Sequence, residues 1–117
     1  MDDTMFGGFL AINVKPEHRR PFLEASIFQA QNAVSEENDV FQFHILVDEE
    51  NPNRFYFYEV FRNEASIQKY WETENFKSWL ITVRQMLDGE IEFIARMHSI
   101  FPTAKGFEAQ KHGLLQW

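Results

Sequence analysis

Residues 53–63 read NRFYFYEVFRN, with Phe55, Tyr56, Phe57, Tyr58, Val60 and Phe61 packed around one charge, Glu59. A strand with one wet face alternates apolar and polar residues. This one is apolar on both faces, so it belongs inside a sheet that is covered on both sides. Before it stands VFQFHILV, Val40 to Val47, where Phe41, Phe43, Ile45 and Val47 fall on one face and Gln42, His44 and Leu46 on the other. The linker DEENPNR supplies Pro52 and two Asn residues suited to a turn. Two long strands across a short loop read as an antiparallel hairpin.

Working outward, FLAINV (Phe9 to Val14) reads as a first strand, preceded by Gly7 and Gly8 and stopped by Pro16. Pro16 and Pro21 are tolerable only near a helix start, so a helix is expected from about His18 to Arg20. Its stripe is Leu23, Ile27, Ala30 and Val34, and the polar run SEEND ends it. Beyond the central strand, Asn63 suits the N-cap of a helix carrying Ile67, Tyr70 and Trp71. Thr73 caps a next one, ENFKSWLITVRQML, closed by Asp88 and Gly89. EIEFIARMHSIF, Glu90 to Phe101, is a fourth strand that Pro102 ends.

The order strand, helix, two strands, helices, strand is the split β-α-β pattern of a ferredoxin-like α+β domain with an antiparallel sheet. Its helices cover one face. A second copy of the sheet is expected on the other, as a C2 homodimer with a barrel-like centre. Residues 1–102 make the domain. Residues 103–117 carry Phe107, Leu114, Leu115 and Trp117 among polar residues, and are expected to fold back as an arm packed on the dimer.

A chain of 117 residues with 44% hydrophobic and 25% charged residues fits one globular domain. Thirteen Phe residues are many for one small core, which points to an apolar cavity or a partner chain. A net charge of −7 argues against nucleic acid and against an anionic membrane surface. There is no Cys, no positive-then-apolar leader and no apolar run near the roughly 20 residues of a membrane span, so a cytoplasmic protein is expected. No His/Asp/Glu cluster has metal-ligand spacing, and Gly7 and Gly8 precede a strand rather than a helix, so no phosphate loop is present.

Four pieces carry a family resemblance: INVKPEH near the start, the Asp-x-x-x-Pro-x-Arg-Phe hairpin at 48–55, the Tyr-Glu-Val-aromatic strand at 58–61, and Thr-x-x-Phe-x-x-Trp at 73–79. In this order the chain resembles the antibiotic biosynthesis monooxygenase family from about Leu10 to Phe101. The resemblance implies a dimeric α+β barrel with a ligand pocket between helices and sheet in each chain. It also implies oxygenation of an electron-rich, deprotonated substrate that itself activates O2, without metal or organic cofactor. Many members carry His six residues before the helix Phe and again directly before it; here those positions hold Tyr70 and Asn75. Haem-degrading relatives use a His where this chain has Leu80, so haem is not expected.

The candidate catalytic residues are Tyr70, His44 and Asn13. Tyr70 can donate a hydrogen bond, though a phenol with a reference pKa near 10 is a poor base. His44 has a pKa suited to a general base, or is a bonded residue at an interface. Asn13 can orient a substrate oxygen, or satisfy the turn before Pro16. Trp71, Trp79 and Phe76 are expected as pocket walls. Glu59 is expected in or near the pocket, as an acid or as a polar anchor tied to Arg62, Arg96 or a tyrosine within an aromatic dimer face. Two alternatives stand beside the oxygenase. One is a small-carbonyl isomerase resembling the autoinducer-processing relatives, with His44 as base and His18, Arg19 and Arg20 as phosphate anchor. The other is a non-catalytic small-ligand-binding dimer.

Overall fold

A computed structural model describes residues 4–117; residues 1–3, the tip of the acidic N-terminus, and the side chain of Leu114 lie outside what is described. The elements run β1 (Phe6–Asn13), α1 (Arg19–Glu36), β2 (Val40–Val47), β3 (Arg54–Phe61), α2 (Glu64–Trp71), α3 (Glu74–Val83), β4 (Glu92–His98) and α4 (Ala104–Leu114). Short 3-10 turns at Pro16–His18 and Arg84–Met86 lead into α1 and out of α3. The sheet order is β2-β3-β1-β4, with every neighbouring pair antiparallel. This is the ferredoxin-like α+β domain.

The caps form as their residue types dictate. Asn63 Oδ1 accepts from Ser66 N at 2.9 Å, and Thr73 Oγ1 accepts from Phe76 N at 3.2 Å. Gly89 has φ +92, a left-handed conformation that glycine adopts without Cβ strain, and it turns the chain toward β4. β1 begins at Phe6, three residues before its expected start, so Gly7 and Gly8 lie inside the ladder. β4 stops at His98, short of the expected Phe101.

Strand parity in β3 decides the layers. Phe55, Phe57, Glu59 and Phe61 point to the helices, where the rings meet Phe22, Val34, Tyr70 and Trp79 in the core. Tyr56, Tyr58 and Val60 point to the opposite, outer face. The aromatic-rich side with Glu59 is thus the helix-covered side, and the outer face carries tyrosines. Two further expectations change. A β-bulge between Val40 and Gln42 puts Phe41 on the outer face with Val60 and Phe107, not beside Phe43. In α1 the buried positions are Phe22, Ser26, Gln29, Ala30, Ala33 and Val34, while Ile27 of the expected stripe is exposed. Buried polar groups rotate that stripe, because Ser26 and Gln29 have partners or space on the core side.

Helix α4 seats on the outer face of its own chain. Phe107 stacks on Phe41 with ring centroids 5.7 Å apart, and Lys111 Nζ donates to Glu37 O at 2.8 Å. Truncation after Ala104 exposes Phe41 and Val60, and is expected to cost about 2–4 kcal/mol. A thermal melt of the truncated chain would then fall by roughly 8–16 °C. An unchanged melt would mean that α4 contributes nothing to stability.

Candidate functional site

Between the helices and the inner sheet face lies a cavity of about 230 Å³. Its floor exists because of Gly8. In the ladder Gly8 stands opposite Glu59 on β3 and Arg96 on β4, so the middle of the three strands presents no side chain there. A Cβ built on Gly8 would meet only the Phe6 ring, at 3.7 Å, so backbone crowding does not demand glycine. Phe57 and Phe43 continue the floor.

The roof comes from the corner between α2 and α3. Thr73 Oγ1 donates to Tyr70 O at 2.7 Å while capping α3, which fixes the turn. Tyr70 and Phe76 meet edge to face at 5.3 Å, with Trp71 and Trp79 beyond Phe76. Trp79 Nε1 donates to Ser26 Oγ at 2.9 Å, which holds its indole against Phe57. Asn75, where many relatives have His, donates to Gln29 O at 3.0 Å and ties α3 to α1 instead of lining the cavity.

Three buried polar side chains from three elements line this aromatic space, and the exposed Arg96 of β4 is a fourth polar residue in its lining. Tyr70 is 2% exposed, Gln29 2% and Glu59 7%. The Tyr70 hydroxyl and Gln29 Oε1 are buried without a hydrogen-bond partner among the described residues. Arg62, a candidate partner for Glu59, pairs with Asp39 at 2.8 Å, and Arg96 pairs with Glu64 at 2.8 Å. Burial in the aromatic surround therefore pushes the Glu59 carboxyl up to about 8. Burial, then the charges of Glu59 and Glu37, hold the Tyr70 proton well above the usual phenol range. A carboxyl whose proton is held by burial and a phenol whose proton is held by burial thus line one aromatic cavity.

Of the residues singled out in the sequence, Tyr70, Trp71, Phe76, Trp79 and Glu59 line the cavity together. His44 and Asn13 do not, and parity is the reason. His44 pairs with Tyr58 on the outer face, where its Nε2 lies 2.7 Å from Gln42 Oε1. Asn13 pairs with Arg54 at the strand end, and its amide is engaged by Glu92 at 2.9 Å and Arg54 at 3.0 Å. Gln29, Gly8 and Arg96 also line the cavity without having been singled out for it. A polar residue on the buried stripe of α1 was the signal for Gln29; Gly8 has meaning only through its cross-strand neighbours.

No group of three or more His, Asp or Glu side chains among the described residues is placed to hold a metal ion. Haem does not fit: among the described residues no His lines the cavity, and Leu80 lines it where haem-degrading relatives have theirs. No helix among the described residues is long and apolar enough to cross a membrane.

Solved structures share the fold. A Nitrosomonas europaea protein bearing the antibiotic biosynthesis monooxygenase name matches with TM-score 0.81 and 21% identity, covering 89% of this chain and 98% of its own. A Caulobacter crescentus protein of the same name matches with TM-score 0.79 and 12% identity, covering 84% and 92%. A conserved Methanosarcina mazei protein matches with TM-score 0.75 and 19% identity, covering 81% and 92%. Comparison with curated proteins finds no match. The antibiotic biosynthesis monooxygenase family profile matches residues 5–80, a span that runs from β1 through the cavity roof. With that span matched, and the fold shared, the chain belongs to the antibiotic biosynthesis monooxygenase family.

Proposed function

We propose that the protein is a cytoplasmic, homodimeric oxidoreductase, a monooxygenase that uses neither metal nor organic cofactor and acts on a small aromatic or electron-rich carbonyl compound. The observation that carries this reading is the aromatic cavity, lined by Tyr70, whose hydroxyl is buried without a hydrogen-bond partner among the described residues. A buried donor without a partner costs stability unless a ligand supplies the acceptor. The cavity is below the roughly 300–1,000 Å³ of drug-sized ligand sites, which favours a one- or two-ring substrate.

In this reading the substrate anion gives its electrons to O2. An activated CH2 becomes C=O; one oxygen atom stays in the product and the other leaves as water. Tyr70 holds the substrate oxygen, Trp71, Phe76 and Trp79 exclude water, and Glu59 lies within the same space. His44 and Asn13, on the outer face and at the strand end, act at most on the dimer side. The isomerase reading has less support: none of His18, Arg19 and Arg20, its expected phosphate anchor, lines the cavity, and Arg19 donates to Pro52 O at 2.7 Å.

The homodimer is supported by the outer face, where Leu46 and Met97 are exposed around Tyr56 and Tyr58. Ile100, 90% exposed, follows β4. Residues 103–117 then act as an arm beside that face. Light scattering is expected to give twice the 14.0 kDa chain mass.

Oxygen uptake tests the reaction. With hydroxyarenes and 1,3-dicarbonyl compounds, chelator-treated protein is expected to consume one O2 per substrate turned over. Gly8→Val, whose side chain enters the cavity floor, is expected to keep its fold and lose uptake by roughly 100-fold or more. Ligands that raise the melting temperature without any uptake would instead establish a binding module.

A further inference from the structure

Resting on this reading of the cavity, we propose that Gly8 is the residue that sets ligand size: the gap above its backbone receives the edge of a flat second ring, so the cavity prefers a fused two-ring aromatic compound to a single ring. Glycine inside a strand costs stability, because it packs nothing and gives up more backbone freedom than any other residue. Three structural needs could justify it, and none applies. The glycine with positive φ among the described residues is Gly89, so Gly8 has an ordinary extended backbone. β1 pairs with β3 without interruption from Phe6 to Asn13, and in its pairing with β4 the extra residue is Ile94, on the other strand. A Cβ on Gly8 would touch the Phe6 ring at 3.7 Å, an ordinary contact, and nothing else within 4 Å beyond its chain neighbours. What a side chain at this position would take up is cavity.

The shape of the gap follows from the ladder. Along β1 the next residues on the same face are Phe6 and Leu10, each about 7 Å away. Across the ladder stand Glu59 and Arg96, each about 5 Å away. No atom of either comes within 4 Å of the place a Gly8 Cβ would occupy. Arg96 reaches along the strand instead, its guanidinium carbon 4.8 Å from the centre of the Phe6 ring and Nη2 2.8 Å from Glu64 Oε2. The gap is therefore long in the strand direction and one residue wide, with Phe6 and Leu10 as apolar ends. A flat aromatic ring fits it by its edge; a puckered saturated ring is thicker and does not. In the roof, Phe76 and Trp79 give aromatic surface to the rest of the same ligand.

The test is calorimetric titration of the full chain with phenol, with 2-naphthol, and with the 2-naphthol analogue whose hydroxyl-free ring is saturated. The parent is expected to bind 2-naphthol roughly 10-fold or more tighter than either of the others. Gly8→Ala is expected to lose about 10-fold or more for 2-naphthol and less than about 3-fold for phenol. The same variant should melt roughly 1–5 °C higher than the parent, because alanine lowers the entropy of the unfolded chain. Gly7→Ala, on the outer side of the same strand with ordinary contacts at 3.7–3.8 Å, should leave all three affinities unchanged. A glycine needed only for the fold would behave otherwise, its alanine variant melting lower and losing all three ligands alike. That result, the saturated analogue bound as tightly as 2-naphthol, or no saturable binding of 2-naphthol by the parent would each overturn the proposal. The two-ring preference and its loss in Gly8→Ala, without oxygen uptake from any substrate, refute the oxygenase and leave Gly8 as the size determinant. Uptake from two-ring substrates that Gly8→Ala leaves intact does the reverse.

Discussion

Glu59→Gln is expected to make the protein more stable at alkaline pH and to leave it nearly unchanged in acid. The folded-state value of Glu59, about 8, lies above that of an exposed carboxylate because the group is buried among rings. Its contribution is therefore fully present below the ordinary carboxylate range, where both folded and unfolded chains are protonated. It is lost as the pH rises through the folded value, because the unfolded chain sheds its proton first. The glutamine does not titrate. Relative to the parent, the variant should gain on the order of 3–5 kcal/mol between about pH 5 and pH 9. That corresponds to a melting temperature roughly 10–20 °C higher at the alkaline end. Parallel melting curves for parent and variant across this range would show that Glu59 is ionised in the folded protein. A more stable variant with altered ligand binding would mark Glu59 as a residue kept at the expense of stability.

Phe57→Asp and Tyr58→Asp, adjacent on one strand, are expected to do opposite things. Phe57 is 1% exposed and its ring meets Phe22, Phe43 and Trp79. Aspartate there removes a large core side chain and buries a charge without a cation, a loss of at least about 4–5 kcal/mol. The chain should be unfolded by circular dichroism at any temperature. Tyr58 faces outward, beside His44 at a ring separation of 5.7 Å. Aspartate at that position should leave the chain folded and raise the dissociation constant of the proposed dimer by roughly 10-fold or more. A folded Phe57→Asp, or an unfolded Tyr58→Asp, would reverse the facing of β3.

The contrast also marks how far the sequence could be read. The split β-α-β order, the Asn63 and Thr73 caps and the span of β2 are legible because each rests on local chemistry. Which side of β3 meets the helices is not, because both faces of FYFYEVF are apolar and a period of two separates faces without orienting them. Of the two places expected for Glu59, the pocket and an aromatic dimer face, it occupies the cavity wall. His44 and Asn13 look functional by residue type, yet their parity sets them outward. The cavity roof was legible through Tyr70, Trp71, Phe76 and Trp79. Its floor was not, since Gly8 is empty space only when Glu59 and Arg96 stand on either side of it.

The bulge at Phe41 has a consequence for descent. Val40 faces the core and Phe41 and Gln42 both face outward, so β2 spends one extra residue to present a ring to Phe107. A chain of this fold ending at β4 would leave that ring in water and gain nothing from the extra residue. Insertion in β2 and possession of the terminal helix should therefore be inherited together. Relatives with a tail should carry a large apolar residue at the inserted place. Those without one should return to strict alternation, and a lineage that lost the helix should show the deletion soon afterwards.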